Sequence, residues 1–249
     1  MTAPMPSRAE KRCAPMFFAI TATAALLAGC DSSVNGSPVA APVASGSAPA
    51  ATATAPAQAP GTLLPADLPR VMLPIEELRN ITKAPSLVKI ATWRHLGVGL
   101  GITFTPPQCG VVASNSLQVM FGGSSPTGVL YPNYMSTEQP LVQVYPGAVT
   151  FPDPAAARAL IAAQLPVWQQ CANSDVTIKT VDGTAAQHNN ALQATADTLT
   201  LPITIGGNYQ CVRTLAARNN VVFDNVVCAP SLSGEDATIL NAMVAKLPH

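Results

Sequence analysis

The stretch Cys211-Val-Arg-Thr-Leu-Ala-Ala-Arg-Asn-Asn-Val-Val-Phe-Asp-Asn-Val-Val-Cys228 reads as a β-hairpin. Two runs rich in apolar residues flank Asn219-Asn220, and asparagine tolerates the positive φ that a two-residue turn of type I′ needs at both positions. Such a turn pairs residues equidistant from it, so Cys211 faces Cys228. Counted from the flanking pair Arg218 and Val221, this is a non-hydrogen-bonded pair, with Cα atoms about 4.5 Å apart, a separation that a disulfide accepts.

The other cysteines follow from this pair. Of the 6 Cys, Cys13 and Cys30 lie in an N-terminal export segment, leaving Cys109, Cys171, Cys211 and Cys228. An even number in an oxidising compartment implies two disulfides, in one of three pairings. With Cys211 and Cys228 joined across the hairpin, Cys109 is left to pair with Cys171. The longer loop is worth about 4 kcal/mol and the shorter about 3 kcal/mol in the chain-entropy model. A zinc site would need tight spacings such as C-x₂-C, which are absent, so no metal and no cofactor is expected.

Working outward, Leu73 to Ile81 has the pattern of a short helix entered through Pro74, with Glu76 and Glu77 in its first turn. Asp153-Pro154 opens a longer helix, an N-cap followed by proline at the first helical position, with Leu160, Ile161, Leu165 and Trp168 on one face. Pro166 inside it predicts a kink or a break. A last helix is expected from Ser233, with Asp236 three residues on and Ile239, Leu240, Met243, Val244 and Leu247 on its buried side, ending at Pro248. Strand character marks Val129 to Met135, Leu141 to Phe151, Asp175 to Val181, Thr195 to Ile205, Asn208 to Ala217 and Val221 to Cys228, with Pro202 pointing to an edge or a bulge. Helices separated by hairpin-spaced strands argue for an α+β fold: a single domain over residues 61–249, its antiparallel sheet packed against helices.

The N-terminus reads differently. Arg8, Lys11 and Arg12 precede an apolar run from Ala14 to Ala28, then Leu27-Ala28-Gly29-Cys30. Residues 1–29 are therefore read as a signal peptide, since the run is shorter than the roughly 20 residues that cross a bilayer as a helix. Leu-Ala-Gly-Cys resembles the bacterial lipobox, which makes Cys30 the lipid attachment residue and the membrane a partner through that acylated, palmitate-type anchor. Residues 30–60, almost wholly Ala, Pro, Ser, Thr, Val and Gly, bury too little to offset their ordering entropy and are expected to form a disordered linker. Loss of residues 1–29 removes Arg8, Lys11, Arg12 and Glu10, leaving 10 Lys+Arg against 12 Asp+Glu, a net −2. With no basic run, nucleic acid is excluded as a partner.

The order Phe151-Pro-Asp-Pro-Ala155, Trp168-Gln-Gln-Cys171, Cys211-Val-Arg-Thr and Asn219-Asn-Val-Val-Phe-Asp-Asn-Val-Val-Cys228, followed by a C-terminal helix, resembles the PknH-type extracellular sensor domains of actinobacteria. These stand outside a receptor Ser/Thr kinase and also occur as free, mycobacterial lipoproteins. The resemblance implies an antiparallel sheet against helices, two consecutive disulfides and a ligand-binding cleft. It carries no catalytic residues, and this chain has no kinase domain.

Other motifs weigh little. Ser86-Leu-Val-Lys89 matches S-x-x-K, but the S-D-N and K-T-G partners are missing. His95 and His188 are read as local hydrogen bonders or solvent-facing groups. Gly97-Val-Gly-Leu-Gly101 lacks the G-x-G-x-x-G spacing and reads as a turn or strand. Trp168 is expected to pack in the core near Cys171. Glu138, Asp153 and Asp197 show no acid–base pairing. The chain is thus expected not to be an enzyme but a lipoprotein of the cell membrane's extracytoplasmic face, its sensor-like domain binding a small molecule, envelope lipid or glycan in a cleft. A protein-interaction scaffold is the alternative, and an envelope hydrolase is disfavoured.

The lipobox makes one direct prediction: Cys30→Ala leaves the chain unacylated and unprocessed or shed. Intact mass and detergent phase partitioning check it, and unchanged mass and partitioning would refute the anchor.

Overall fold

The computed structural model describes residues 61–99 and 101–248; the signal peptide, Cys30 and linker expected over 1–60 lie outside them. Along the chain come α1 (Leu68–Val71), α2 (Ile75–Thr82), β1 (Leu87–Trp93), β2 (Thr103–Thr105), α3 (Gly110–Ala113), β3 (Gly128–Ser136), β4 (Gln143–Tyr145) and β5 (Ala148–Thr150). Then follow α4 (Pro154–Cys171), β6 (Ser174–Thr180), β7 (Gly183–Asn189), β8 (Gln193–Ala194), β9 (Thr198–Ile205), β10 (Tyr209–Arg218), β11 (Val221–Ala229) and α5 (Glu235–Val244). The strands form one antiparallel sheet in the order β1-β3-β4-β11-β10-β9-β7-β6-β2, with β5 pairing β11 and β3, and β8 pairing β9.

The β10–β11 hairpin is central, and helices cover both of its faces. Successive strand residues point to opposite faces, so a strand buried on both must be apolar throughout. That is why these two strands read as near-continuous apolar runs. Leu215, Ala217 and Val222 join Leu160, Ile161 and Trp168 of α4 in one core. Ala216, Val221, Phe223 and Val227 join Leu78 of α2 and Ile239 and Met243 of α5 in the other.

The register is that of a two-residue turn, with Arg218 opposite Val221 and Cys211 opposite Cys228. Cys211 and Cys228 are disulfide-bonded with Cα atoms 4.0 Å apart, and Cys109 is bonded to Cys171 with Cα atoms 5.6 Å apart. The expected type I′ turn is corrected in one respect: of the two asparagines only Asn219 takes positive φ, at 53°, as in a type II′ turn. Asn220 is constrained by its side chain, which is fully buried. Its Nδ2 donates to the carbonyls of Leu63 (3.0 Å) and Phe151 (2.9 Å), and its Oδ1 accepts from Leu63 N–H (2.8 Å). One carboxamide thus ties Leu63 and the entry to α4 onto the hairpin tip.

Asp153 caps α4, its Oδ1 accepting from Ala156 N–H at 2.8 Å. The break considered at Pro166 does not occur, and α4 runs on to Cys171. Proline leaves the carbonyl four residues back, that of Ala162, without its helical partner; Ala162 and Pro166 are both exposed, so water can satisfy it. The last helix starts later than Ser233. Gly234 is its N-cap at φ 109°, and the Ser233 N–H and hydroxyl donate to the Glu235 carboxylate instead.

The expected strand from Leu141 to Phe151 is two strands, interrupted at Pro146-Gly147. Pro202 lies on neither an edge strand nor a bulge. It sits inside the sheet where β7 ends its pairing with β9 at Ile203 and β8 begins at Thr200, so no neighbour requires the missing N–H. Strands β1, β2, β7 and β8 add to those expected.

Asn220→Ala should lower the unfolding free energy by about 2–4 kcal/mol, because three buried hydrogen bonds are lost and their partners stranded. Denaturant melts of oxidised protein measure this; a loss within experimental error would show that the hairpin tip does not hold the N-terminal segment.

Candidate functional site

Arg213 and Asp224 are charged residues in the interior of mostly apolar strands. In the hairpin register Arg213 pairs with Val226 and Leu215 with Asp224, so the two charges are diagonal neighbours on one face. Both side chains are fully buried, with Arg213 Nη2 3.1 Å from Asp224 Oδ1 and Nε 3.3 Å from the same oxygen.

Burial of such a pair is tolerable only if every remaining donor and acceptor is satisfied. Arg213 Nη1 donates to the Val111 carbonyl at 2.6 Å and to the Ser114 carbonyl, and Nη2 reaches Met120 Sδ at 3.0 Å. Its guanidinium lies 5.3 Å from the Trp168 ring centre, a cation–π contact. Trp168, read as core packing near the disulfide, is core and also carries this contact. Asp224 Oδ2 accepts from Tyr131 Oη–H (2.9 Å) and Ser116 N–H (3.1 Å). Burial, and then the Asp224 carboxylate that accepts its hydrogen, push the Tyr131 phenol well above its usual pKa, against the lowering effect of Arg213.

The network needs Gly147 beside it. A Cβ there would run into the Tyr131 ring and lie 2.7 Å from the Asp224 carbonyl. The loop it holds is itself unusual, with Ser116 at φ 60°. That segment is also bridged to Gly97, whose N–H donates to the Ser116 carbonyl (2.8 Å) while its own carbonyl accepts from Gln118 N–H (2.8 Å). Gly97 thus forms an isolated parallel β-bridge with Leu117 that braces the roof of a cleft.

The floor of the cleft is the sheet face that α4 leaves uncovered. Paired residues share a face, so the registers define two rows. One runs Tyr145, Val226, Arg213; the other runs Gln143, Cys228, Cys211, Ile203. Gln187 and Ile205, paired on neighbouring strands, extend the floor, and Asn133 and Ile178 complete its ends. Ala113 to Ser116 form the roof, and the space between measures about 320 Å³. Asn115 Nδ2 clamps the roof to the Tyr145 carbonyl at 3.0 Å and, at 3.4 Å, to that of Asp224. Burial raises the Tyr145 phenol; burial and then Tyr145 push Tyr209, whose Oη lies 3.4 Å from Gln143 Oε1, up to about 12.

The motifs weighed in the sequence are scattered. Ser86 precedes β1 and Lys89 lies exposed within it, not one helical turn away. His188 Nδ1 is 2.7 Å from Asp175 Oδ1 on the β6–β7 ribbon, and His95 makes an edge contact with Trp93. Asp153 caps α4, Asp197 pairs with Arg218 at 3.1 Å, and Glu138 borders a separate hollow near α5. Among the described residues no three His, Cys, Asp or Glu side chains are grouped to hold a metal. Sequence reading missed Arg213 and Asp224, although the hairpin register it used already sets them diagonally on one face.

A family model described as PknH-like extracellular domain matches residues 63–246. Among solved structures, the chain is similar to the extracellular domain of PknH from Mycobacterium tuberculosis, with 20% identity, a TM-score of 0.70, and coverage of 75% of this chain and 97% of that one. A second match is an uncharacterized protein from Mycobacterium smegmatis, the Rv0999 ortholog, with 14% identity, a TM-score of 0.36, and coverage of 76% and 98%. No curated protein matches the chain.

Two substitutions test the network. Arg213→Met should destabilise the fold by about 3–5 kcal/mol, because it leaves a buried carboxylate uncompensated. Gly147→Ala should cost about 1–3 kcal/mol by displacing Tyr131. Urea melts give both values, and near-neutral results would refute the role assigned to the buried pair.

Proposed function

The chain belongs to the PknH-like extracellular domain family, and from that premise we propose that it is a lipid-anchored extracytoplasmic protein whose sensor-like domain captures an envelope ligand in the cleft over the Cys211–Cys228 disulfide. The observation that carries this reading is the roof: residues 113–116 are held over the sheet by hydrogen bonds to the buried Arg213–Asp224 pair. A cavity kept open by fully satisfied, buried polar contacts is preorganised and does not collapse when empty. Its volume of about 320 Å³ is at the low end of small-molecule sites. The Cys30 anchor would keep this cleft close to the membrane, raising its effective concentration toward envelope components. Catalysis is not part of the reading, since a capture module works by occupancy.

Native mass spectrometry of the oxidised full-length chain, purified from its own envelope, tests the reading. The expected result is a co-purifying mass that is absent from Val226→Trp, a variant whose indole fills the cleft floor. The ligand, once recovered, should raise unfolding free energy by about 2.7 kcal/mol at 100 times its Kd in the wild type only. A stoichiometric protein partner retained by both forms would favour the scaffold alternative and overturn this reading.

A further inference from the structure

Resting on the reading of the cleft as the ligand site, we propose that its ligand is an uncharged, hydroxyl-rich molecule of one or two sugar rings. The lining carries a single charge, Arg213, and that charge is spent. Each of its nitrogens donates to Asp224, Val111, Ser114 or Met120. Asp224 in turn accepts from Arg213, Tyr131 and Ser116. A ligand carboxylate or phosphate therefore meets no available cation here, and a ligand ammonium meets no available carboxylate. Bringing either into a partly dry cleft removes hydration that nothing replaces.

What faces the cleft is neutral and able to both donate and accept. Among the described residues the Asn133 carboxamide makes no hydrogen bond, and it lies beside the Tyr145 phenol if the β3–β4 register is continued by one pair. Gln187 gives one of its two amide hydrogens to Asn189 Oδ1 at 2.8 Å, which leaves its carbonyl oxygen to a ligand. A carboxamide presents a donor and an acceptor in one plane, the arrangement that two adjacent hydroxyl groups complement. On the same floor, beside Gln187, stand Ile178, Ile203 and Ile205, an apolar patch suited to the C–H face of a sugar ring. Carboxamides and isoleucines interleaved on one floor match a molecule that carries hydroxyl and C–H groups side by side.

Titration calorimetry and amide chemical-shift mapping of the oxidised full-length chain decide this. The probes are methyl glucoside, methyl galactoside, methyl mannoside and their neutral disaccharides, each set against its uronate and its 2-amino counterpart. The expected result is that a neutral glycoside shifts the amides of Asn133, Tyr145 and Gln187, that its charged counterparts bind about tenfold more weakly or worse, and that Asn133→Leu abolishes binding. A uronate or amino sugar that binds at the same residues as tightly would overturn the uncharged class while leaving the cleft reading intact. Absence of binding by every neutral glycoside also overturns it. Binding that survives Val226→Trp and shifts amides elsewhere would instead refute the cleft reading itself.

Discussion

The buried ion pair between Arg213 and Asp224 is the constraint around which the rest of the domain is arranged. Two opposite charges removed from water gain little over well-packed apolar residues unless every donor and acceptor around them is paired. Here the pairing is made by distant parts of the chain: Tyr131 on β3, Met120, the Val111 and Ser114 carbonyls and the Ser116 amide. The pair acts less as a source of stability than as a specification. The segment around α3 can satisfy it in this position, so the segment stands over the sheet and a cleft opens beneath it. Gly147 follows as a consequence, because only hydrogen fits between Tyr131 and the Asp224 carbonyl.

Two covalent links and one carboxamide hold the frame in which this occurs. Cys109–Cys171 joins the entry to α3 with the end of α4, and Cys211–Cys228 joins the two central strands directly under the cleft. Asn220 holds Leu63 and Phe151 at the opposite end of the hairpin. The roof is thus anchored to α4 covalently and to the sheet electrostatically.

Much of the fold was legible because its signals are local. The Asn219-Asn220 turn set the hairpin register, and Asp153-Pro154 set the start of α4. The misses had physical causes. β7, Gly183–Asn189, is built of small and polar residues with most of its length exposed, so it shows no apolar alternation. The run from Leu141 to Phe151 carries its own break in Pro146-Gly147, which the apolar residues on either side outweighed in the reading; that the break needs glycine answers to Tyr131, a residue on another strand. The cleft was the least legible part, because strands distant in sequence supply its floor. One signal was available: Arg213 and Asp224, charges in the interior of mostly apolar strands, diagonal in a register already deduced. A buried charge in such a place demands partners, and those partners are the roof.

Hydrogen exchange at the Ser116 amide is the most direct test, since that N–H donates to Asp224 Oδ2 at 3.1 Å. If the ion pair holds the roof, exchange at Ser116 and at Gly97 and Gln118, which bridge to it, should be slow in the wild-type protein. In Arg213→Met it should accelerate well beyond any change at Leu215 and Phe223 in the central strands. Equal acceleration at all of these amides would make the pair a general contributor to stability, and unchanged exchange at Ser116 would contradict the account outright.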